Sequence, residues 1–223
     1  VYGAKTVIVA APEGYETSRT YNLIGRCVRE RGWYPTGTYT LPPTGNPYGP
    51  EGYKTIAYEM CEQLNWIVPD KIIVPTGYGA GLSGIWKGIR EFRDLGLIDG
   101  VPSMIAAESS SGAPLVNAMK KGLDYLETVP ASSTIAVSIG SSTTSYEGLK
   151  SLKESKGTAV SVTDDEIMTM QRILASTEGM YAEPSSVASV AAAKKLAQEG
   201  NTERDEVIVC EITSGGLKDP DST

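Results

Sequence analysis

The sequence predicts an α/β fold, in which a mainly parallel, twisted sheet carries helices on both faces. Short runs of β-branched residues alternate with amphipathic segments of about ten to fifteen residues, which is the pattern of strands joined by helical crossovers. One strand-like run, residues 71–75, ends in a glycine-rich turn that leads directly into a helical pattern. Sheets of this type bind ligands at the carboxyl ends of their strands, so we expect functional residues there.

The predicted elements can be given in chain order. Strands are predicted over residues 6–10, 38–41, 71–75, 101–107, 158–162 and 206–213. Helices are predicted over residues 16–31, 51–64, 82–95, 113–126, 146–155, 163–176 and 184–198. Residues 133–140 fit neither pattern. Thr163 and Glu166 have the spacing of a capping box, which predicts a helix start at that point.

Composition excludes several classes of function. The chain has 223 residues and a net charge of −7, which argues against nucleic acid as a partner because phosphate backbones recruit clustered basic residues. No apolar run approaches the roughly 18 residues that a membrane span requires. The chain contains no histidine, which excludes Ser-His-Asp hydrolysis, Cys-His proteolysis and most zinc chemistry, and we predict no metal site.

The three cysteines share apolar surroundings and lack any metal or redox spacing. They are Cys27, Cys61 and Cys210. An odd number of cysteines in such surroundings is typical of buried thiols in a reducing compartment. We therefore predict a cytoplasmic protein.

The turn after residues 71–75 has the composition of an anion-binding loop. Gly77, Gly79 and Gly81 alternate before the helical pattern begins. Closely spaced glycines allow the backbone to present successive N–H groups to a phosphate, and the following helix adds its partial positive charge. The loop is not a P-loop, and the dinucleotide fingerprint is met only by Gly79, Gly81 and Gly84, without the acidic residue expected further on. A tight turn without a ligand is the alternative interpretation.

Four stretches together resemble one family of enzymes. They are Val74-Pro-Thr-Gly-Tyr-Gly-Ala-Gly, Glu178-Gly-Met-Tyr-Ala-Glu-Pro-Ser-Ser, Ile212-Thr-Ser-Gly-Gly-Leu-Lys-Asp-Pro, and Asn46-Pro-Tyr with Glu51-Gly-Tyr-Lys-Thr. The first two are similar to the phosphate loop and a helix start of pyridoxal-phosphate enzymes with the tryptophan-synthase-β fold (fold type II). The last two are similar to segments of threonine synthases within that superfamily. The resemblance covers essentially the whole chain.

The resemblance implies a cofactor, pyridoxal 5′-phosphate, and the residues that bind it. The backbone amides of five residues would hold the cofactor phosphate: Gly77, Tyr78, Gly79, Ala80 and Gly81. Thr213 matches the hydroxyl that bonds the pyridine nitrogen, and Glu183 matches a structural position near the cofactor. The resemblance also implies two domains, with residues 1–45 as the remaining part of the smaller domain and residues 46–223 as the large cofactor-binding domain. A homodimer is expected because it is usual in the family.

The sequence departs from the family pattern at the catalytic lysine. In this family the Schiff-base lysine lies upstream of the phosphate loop, in a Ser/Thr-x-Lys context. The lysines before the loop are Lys5, Lys54 and Lys71, and none has that context. We therefore assign no catalytic residue in this chain and expect it to be the carboxyl-terminal part of a longer protein, truncated at the N-terminus and inactive without that lysine.

A second departure concerns the substrate. Threonine synthases carry an arginine at the position of Gly49, where it binds the phosphate of O-phosphohomoserine, and glycine offers only an amide. The leading hypothesis is a threonine-synthase-like lyase that converts O-phosphohomoserine and water to threonine and phosphate. One alternative is a threonine or serine dehydratase, or another β-replacing enzyme with this cofactor. The other is a non-catalytic module that binds phosphate compounds.

Overall fold

The computed structural model describes residues 3–7, 18–37 and 46–219, without the side chains of residues 18 and 19. The described chain forms two compact units, Val1–Asn46 and Pro47–Thr223. In the first unit, helix α1 spans Ser18–Arg31, and Gly32 follows it with φ +67°. Most of the predicted strand 6–10 and all of 38–41 lie outside the described residues. The assignment of residues 1–45 to a smaller cofactor-enzyme domain stays a prediction.

The second unit alternates helices and strands, as predicted. Its helices are α2 (Gly49–Gln63), α3 (Ala80–Asp94), α4 (Pro114–Lys121), α5 (Tyr146–Glu154), α6 (Asp164–Glu178) and α7 (Pro184–Gln198). Its strands are β1 (Lys71–Pro75), β2 (Ser103–Ser109), β3 (Thr158–Val162) and β4 (Ile208–Cys210), and short 3-10 helices lie at Val137–Ile139 and Gly216–Lys218. The predicted capping box is confirmed, because Thr163 and Glu166 exchange both of its hydrogen bonds. None of the helices in the described part of the chain is long and apolar enough to span a membrane.

The four strands form one parallel sheet in the order β3-β2-β1-β4. Ile73 is central, because it pairs with Ile105 of β2 on one side and with Cys210 of β4 on the other. Strands β2 and β3 therefore follow β1 on one side of it, and β4 lies on the other side. This reversal creates a topological switch point beside the carboxyl end of β1.

Helices cover both faces of the sheet, which confirms the predicted fold class. Side chains of a strand alternate between its faces, so Ile72 and Val74 join the core under α2, α3, α4 and α5. Ile73 points to the opposite face and packs in the core under α6 and α7. Burial on both faces explains why the strands read as continuous apolar runs rather than as alternating patterns.

Two glycines let α2 and α3 approach closely. A Cβ at Gly84 would lie 2.4 Å from Tyr53 Cβ and 2.6 Å from the Pro50 carbonyl oxygen, and one at Gly88 would lie 2.8 Å from Ala57 Cβ. Gly84 therefore serves the packing of α3 against α2.

Two predicted elements are shorter than the sequence suggested. Helix α4 ends at Lys121 rather than near residue 126, because Gly122 adopts a left-handed conformation with φ +64° and closes the last turn. Strand β4 ends at Cys210, because the residues after it turn away to bond with α7. The cysteine prediction holds fully only for Cys61, since Cys27 and Cys210 are partly exposed.

Two carboxyl groups near the carboxyl ends of the strands are shielded from solvent, Glu108 fully and Glu211 in part. Glu108 accepts hydrogen bonds from the backbone N–H groups of Leu115 and Val116, at 3.0 and 2.8 Å, and so caps α4. Glu211 follows β4, and its Oε2 is shielded from solvent without a hydrogen-bond partner among the described residues. Burial raises the pKa of each carboxyl group to about 7.

The α2–α3 contact predicts opposite effects for two glycine-to-alanine substitutions. Gly84→Ala should lower the free energy of unfolding by about 1–3 kcal/mol, because its methyl group has no room. Gly52→Ala, in α2 with open space around it, should raise that free energy by up to about 1 kcal/mol. Urea denaturation of both variants measures the difference. Equal stability of the two would contradict the close packing.

The pKa of Glu211 predicts a pH-dependent stability difference. A carboxyl group with a raised pKa binds its proton more tightly in the folded state, so it costs stability as pH rises from 4.5 to about 7. Glu211→Gln removes this cost. Its unfolding free energy should exceed that of the wild type above pH 7, by at most about 3 kcal/mol, and this gain should disappear below pH 4.5.

Denaturation curves across this pH range provide the test, with the exposed Glu59→Gln as control. A stability difference between Glu211→Gln and the wild type that does not change with pH would refute the assignment.

Candidate functional site

The candidate site lies at the carboxyl ends of β1 and β4, which are neighbours at the switch point. The Glu211 backbone N–H donates to the Ile73 carbonyl at 3.0 Å, so the two chains still run together where the strands end. Thr76 and Thr213 each follow shortly after the paired part of their strands. The glycine loop and the segment containing Thr213 therefore leave the sheet at corresponding positions.

The glycine loop follows β1 and is shaped by close neighbours. A Cβ at Gly77 would lie 2.8 Å from the Ser138 carbonyl oxygen. Gly79 has φ +81°, and its Cβ would lie 3.1 Å from Ser145 Oγ and 3.2 Å from the Cα of Gly148. Both positions therefore require glycine, Gly77 for space and Gly79 for space and conformation. Gly81 meets only ordinary contacts, at 3.9 Å from the Tyr53 ring.

Helix α3 begins immediately after this loop and has no side-chain cap. Gly79 is its N-cap residue, and Ala80 and Gly81 lie in its first turn. The first N–H groups of a helix have no partner within the helix, and together with the helix dipole they favour an anion. The residues predicted to hold a phosphate thus form one turn of backbone at a helix N-terminus.

A buried hydroxyl beside the loop lacks a partner. Thr144 is 2% exposed, and its Oγ1 makes no hydrogen bond to any part of the chain that the structure describes. This oxygen lies 3.4 Å from the position of a Gly79 Cβ. An unsatisfied buried hydroxyl costs about 1–3 kcal/mol, so a ligand oxygen here would remove a penalty. The surroundings of Gly79 therefore fit a phosphate group.

The next residue, Ser145, ties the loop to α5. Its Oγ accepts a hydrogen bond from the Gly148 N–H at 3.3 Å and caps α5, while its own N–H donates to the Tyr78 carbonyl at 3.3 Å. The Tyr78 carbonyl is thereby held against the start of α5. The loop geometry depends on this contact.

Thr213 lies on the segment after β4 and faces the start of α7. Its Oγ1 is 2.7 Å from Ser186 Oγ, and the neighbouring Ser214 N–H donates to the same Ser186 oxygen at 2.8 Å. Thr213 is exposed, whereas Ser186 is fully buried. The Thr213 hydroxyl therefore contacts a buried serine, while the residue as a whole is exposed.

The described parts of two sequence motifs, residues 178–186 and 212–219, form a single structural unit. Ala182 and Gly215 make an antiparallel bridge, and the Gly216 N–H donates to the Tyr181 carbonyl at 2.9 Å. Glu183, 6% exposed, forms an ion pair with Lys218 at 2.6 Å. Glu183 thus has a structural role, because its ion pair joins the start of α7 to the segment after Thr213.

A short path of contacts connects the two halves of the site. The Ser138 carbonyl lies against Gly77, and the Ser138 N–H donates to Ser185 Oγ at 3.2 Å, next to Ser186 and hence to Thr213. Sequence reasoning missed Ser138, Thr144 and Ser186. The signal available for the first two was the high content of serine and threonine over residues 138–145.

Two of the lysines that precede the loop are engaged elsewhere. Lys54 pairs with Glu51 at 2.7 Å and with Glu91 at 2.8 Å, and these partners raise the pKa of its ammonium group. Lys71 begins β1 and pairs with Glu206, so it lies at the opposite end of the strand from the glycine loop. The pKa of Lys54 is raised rather than lowered, and Lys71 lies away from the loop, so neither is placed as a nucleophilic amine.

The threonine-synthase-like segment at residues 46–55 has a structural role at the start of α2. Glu51 accepts from Lys54 and also pairs with Lys87 of α3, so this motif fastens α2 to the helix that begins at the glycine loop. Gly49 opens α2, and a Cβ there would meet nothing within 4 Å. The described residues contain no cluster of three potential metal ligands.

Comparisons with known proteins show the family of this chain. Residues 1–214 match the family described as pyridoxal-phosphate dependent enzyme. The threonine synthase of Methanocaldococcus jannaschii is 44% identical over 179 residues, which are 79% of this chain and 44% of that protein. The threonine synthase of Methanosarcina acetivorans is 42% identical over 177 residues, which are 78% of this chain and 44% of that protein. The chain thus spans less than half the length of these relatives.

A similar fold occurs in a solved structure, that of a fungal L-serine ammonia-lyase from Rhizomucor miehei. The TM-score is 0.64 at 25% sequence identity, and the match covers 74% of this chain and 51% of the other. The likeness agrees with the parallel sheet described above. Because the family match extends over nearly the whole chain, this protein belongs to the pyridoxal-phosphate-dependent enzymes.

Proposed function

We propose that the unit Pro47–Thr223 binds pyridoxal 5′-phosphate through the glycine loop and Thr213. The backbone amides of Gly77, Tyr78, Gly79, Ala80 and Gly81 would hold the phosphate, and the Thr213 hydroxyl would meet the pyridine nitrogen. The observation that carries the proposal is the start of α3 at Gly79, which has no side chain to cap the helix, beside the buried Thr144 hydroxyl, which lacks a hydrogen-bond partner among the described residues. Backbone N–H groups and a helix dipole suit a phosphate dianion without a cationic side chain.

The residue type at position 213 influences which reactions the cofactor would support. When bound, the cofactor supplies an electron sink that stabilises negative charge at the α-carbon of an amino-acid substrate. A neutral hydroxyl at the ring nitrogen leaves that nitrogen largely unprotonated, whereas an aspartate would protonate it. The residue type therefore favours elimination and replacement reactions over transamination.

The leading function is that of a threonine-synthase-like lyase. Such an enzyme converts O-phosphohomoserine and water to threonine and phosphate. The two archaeal relatives at 44% and 42% identity support this assignment, together with the motif unit around Thr213. The catalytic lysine is not assigned to Lys54 or Lys71, which are held in ion pairs. The homodimer and the cytoplasmic location stay predictions.

A second function is favoured by one residue and one structural likeness. Gly49 stands where the family motif has a phosphate-binding arginine, and it offers no side chain for the phosphate of O-phosphohomoserine. A serine or threonine dehydratase acts on a substrate without that phosphate, and the fold likeness to a serine ammonia-lyase fits this alternative.

The cofactor site predicts that Gly79→Asp abolishes binding of pyridoxamine 5′-phosphate, which needs no lysine to bind. The carboxylate would place negative charge beside the phosphate and would collide with Ser145. We expect affinity to fall by at least about tenfold, which corresponds to about 1.4 kcal/mol. Fluorescence titration of the purified chain gives the dissociation constant.

Gly96→Asp is the matched control for this variant. Gly96 has φ +70°, similar to Gly79, but a Cβ there meets nothing within 4 Å. It therefore imposes the same backbone strain at a distance from the loop, and binding should persist. Unchanged affinity in Gly79→Asp would rule out the glycine loop as the phosphate site.

The two enzymatic functions predict different products from the full-length protein. A threonine-synthase-like enzyme should release inorganic phosphate from O-phosphohomoserine and produce no ketobutyrate from threonine. Ketobutyrate from threonine would instead support the dehydratase. Neither product, with binding of pyridoxamine 5′-phosphate retained, would support the non-catalytic phosphate-binding module.

A further inference from the structure

Ser186 of α7 is buried directly behind the Thr213 hydroxyl. It is 0% exposed, and its Oγ contacts two groups: Thr213 Oγ1 at 2.7 Å and the Ser214 backbone nitrogen at 2.8 Å. Its position is fixed, because it lies in the first turn of a helix whose start is joined to the Thr213 segment by the Ala182–Gly215 bridge.

The direction of these hydrogen bonds can be derived from donor and acceptor chemistry. A backbone N–H can only donate, so Ser186 Oγ accepts from Ser214. Ser186 then has one proton to place, and among the described residues the acceptor within reach is Thr213 Oγ1. If Thr213 donated to Ser186 instead, the Ser186 proton would be left without an acceptor inside the protein, at a cost of about 1–3 kcal/mol.

The exposed Thr213 does not face the same constraint. Its own proton can point outward to solvent or to a ligand. The favoured arrangement is therefore a relay in which the Ser214 N–H donates to Ser186, and Ser186 donates to Thr213. Successive donation polarises each hydroxyl in turn, which makes the outward O–H of Thr213 a stronger donor.

We propose that Ser186 is a positioning residue that turns the Thr213 hydroxyl into an outward hydrogen-bond donor and thereby selects a ligand with an unprotonated ring nitrogen. This inference rests on the proposed function, since it takes the cofactor ring to meet Thr213. A neutral pyridine nitrogen accepts a hydrogen bond, whereas a protonated one donates and would compete with the Thr213 proton. Ser186 thus favours the unprotonated ring nitrogen of the cofactor through Thr213, without contacting the cofactor itself.

The same helix provides a matched control. Ser189 is also 0% exposed, and its Oγ donates to the Glu211 backbone carbonyl at 2.7 Å, close to the end of β4. Ser186 and Ser189 are therefore two buried hydroxyls that bond the same segment, and one of them contacts Thr213. Replacing either with alanine removes a buried hydrogen bond, but the relay depends on Ser186.

The test compares the affinities of two probes for the full-length protein: pyridoxamine 5′-phosphate and its analogue in which a carbon replaces the ring nitrogen. The wild type should prefer the nitrogen-containing probe by about tenfold, the value of one hydrogen bond. Ser186→Ala should lose most of this preference, Ser186→Thr should restore it, and Ser189→Ala should keep it. Inorganic phosphate affinity should be the same in all variants.

A spectroscopic measurement gives a second readout in case Ser186→Ala folds poorly. The ¹⁵N chemical shift of ring-labelled pyridoxamine 5′-phosphate reports the protonation of its nitrogen, and Ser186→Cys keeps the volume while weakening the donor. The ring pKa should rise in Ser186→Cys and stay at the wild-type value in Ser189→Ala. Equal behaviour of the Ser186 and Ser189 variants overturns this inference alone. A wild type that binds neither probe overturns the cofactor proposal as well.

Discussion

The parallel pairing of β1 with both β2 and β4 is the constraint on which the rest of the structure depends. Backbone hydrogen bonds on both edges of β1 fix the ends of three strands at one edge of the sheet. Since β4 enters on the side opposite β2, two loops from distant parts of the chain leave the sheet side by side. The glycine loop and Thr213, more than 130 residues apart in sequence, thereby follow neighbouring strands, as the proposed cofactor site requires.

Helix starts supply most of the chemistry at this edge. Helix α3 begins at the glycine loop without a side-chain cap, α5 begins at Ser145 against the Tyr78 carbonyl, and α7 begins behind Thr213. Short hydroxyl side chains stand at two of these starts, Ser145 at α5 and Ser186 at α7, and the backbone alone forms the start of α3. This explains how a chain without histidine, and without a described metal cluster, can form a site for an anion from backbone, serine and threonine.

Close packing and site geometry are linked through the glycines. Gly84 and Gly88 bring α2 against α3, and the ion pairs of Glu51 and Lys54 hold that contact from outside. The position of α3 in turn sets the position of the loop before it. The threonine-synthase-like motif at residues 46–55 therefore supports the site by packing, and its departure at Gly49 bears on the substrate rather than on the fold.

The sequence by itself determined the order of elements, the glycine loop, the capping box at Thr163 and the family. Each of these depends on neighbouring residues, whose periodicity and turn chemistry act locally. The end of α4 at Gly122 is also a local signal, which the helical periodicity up to residue 126 obscured, whereas the end of β4 depends on bonds to α7 that lie far along the chain. The sequence could not reveal Ser138, Thr144 and Ser186, whose residue types are common in any loop or helix. Their roles arise from partners far along the chain, and the tertiary structure alone decided which hydroxyl was left without a partner and which was held behind Thr213.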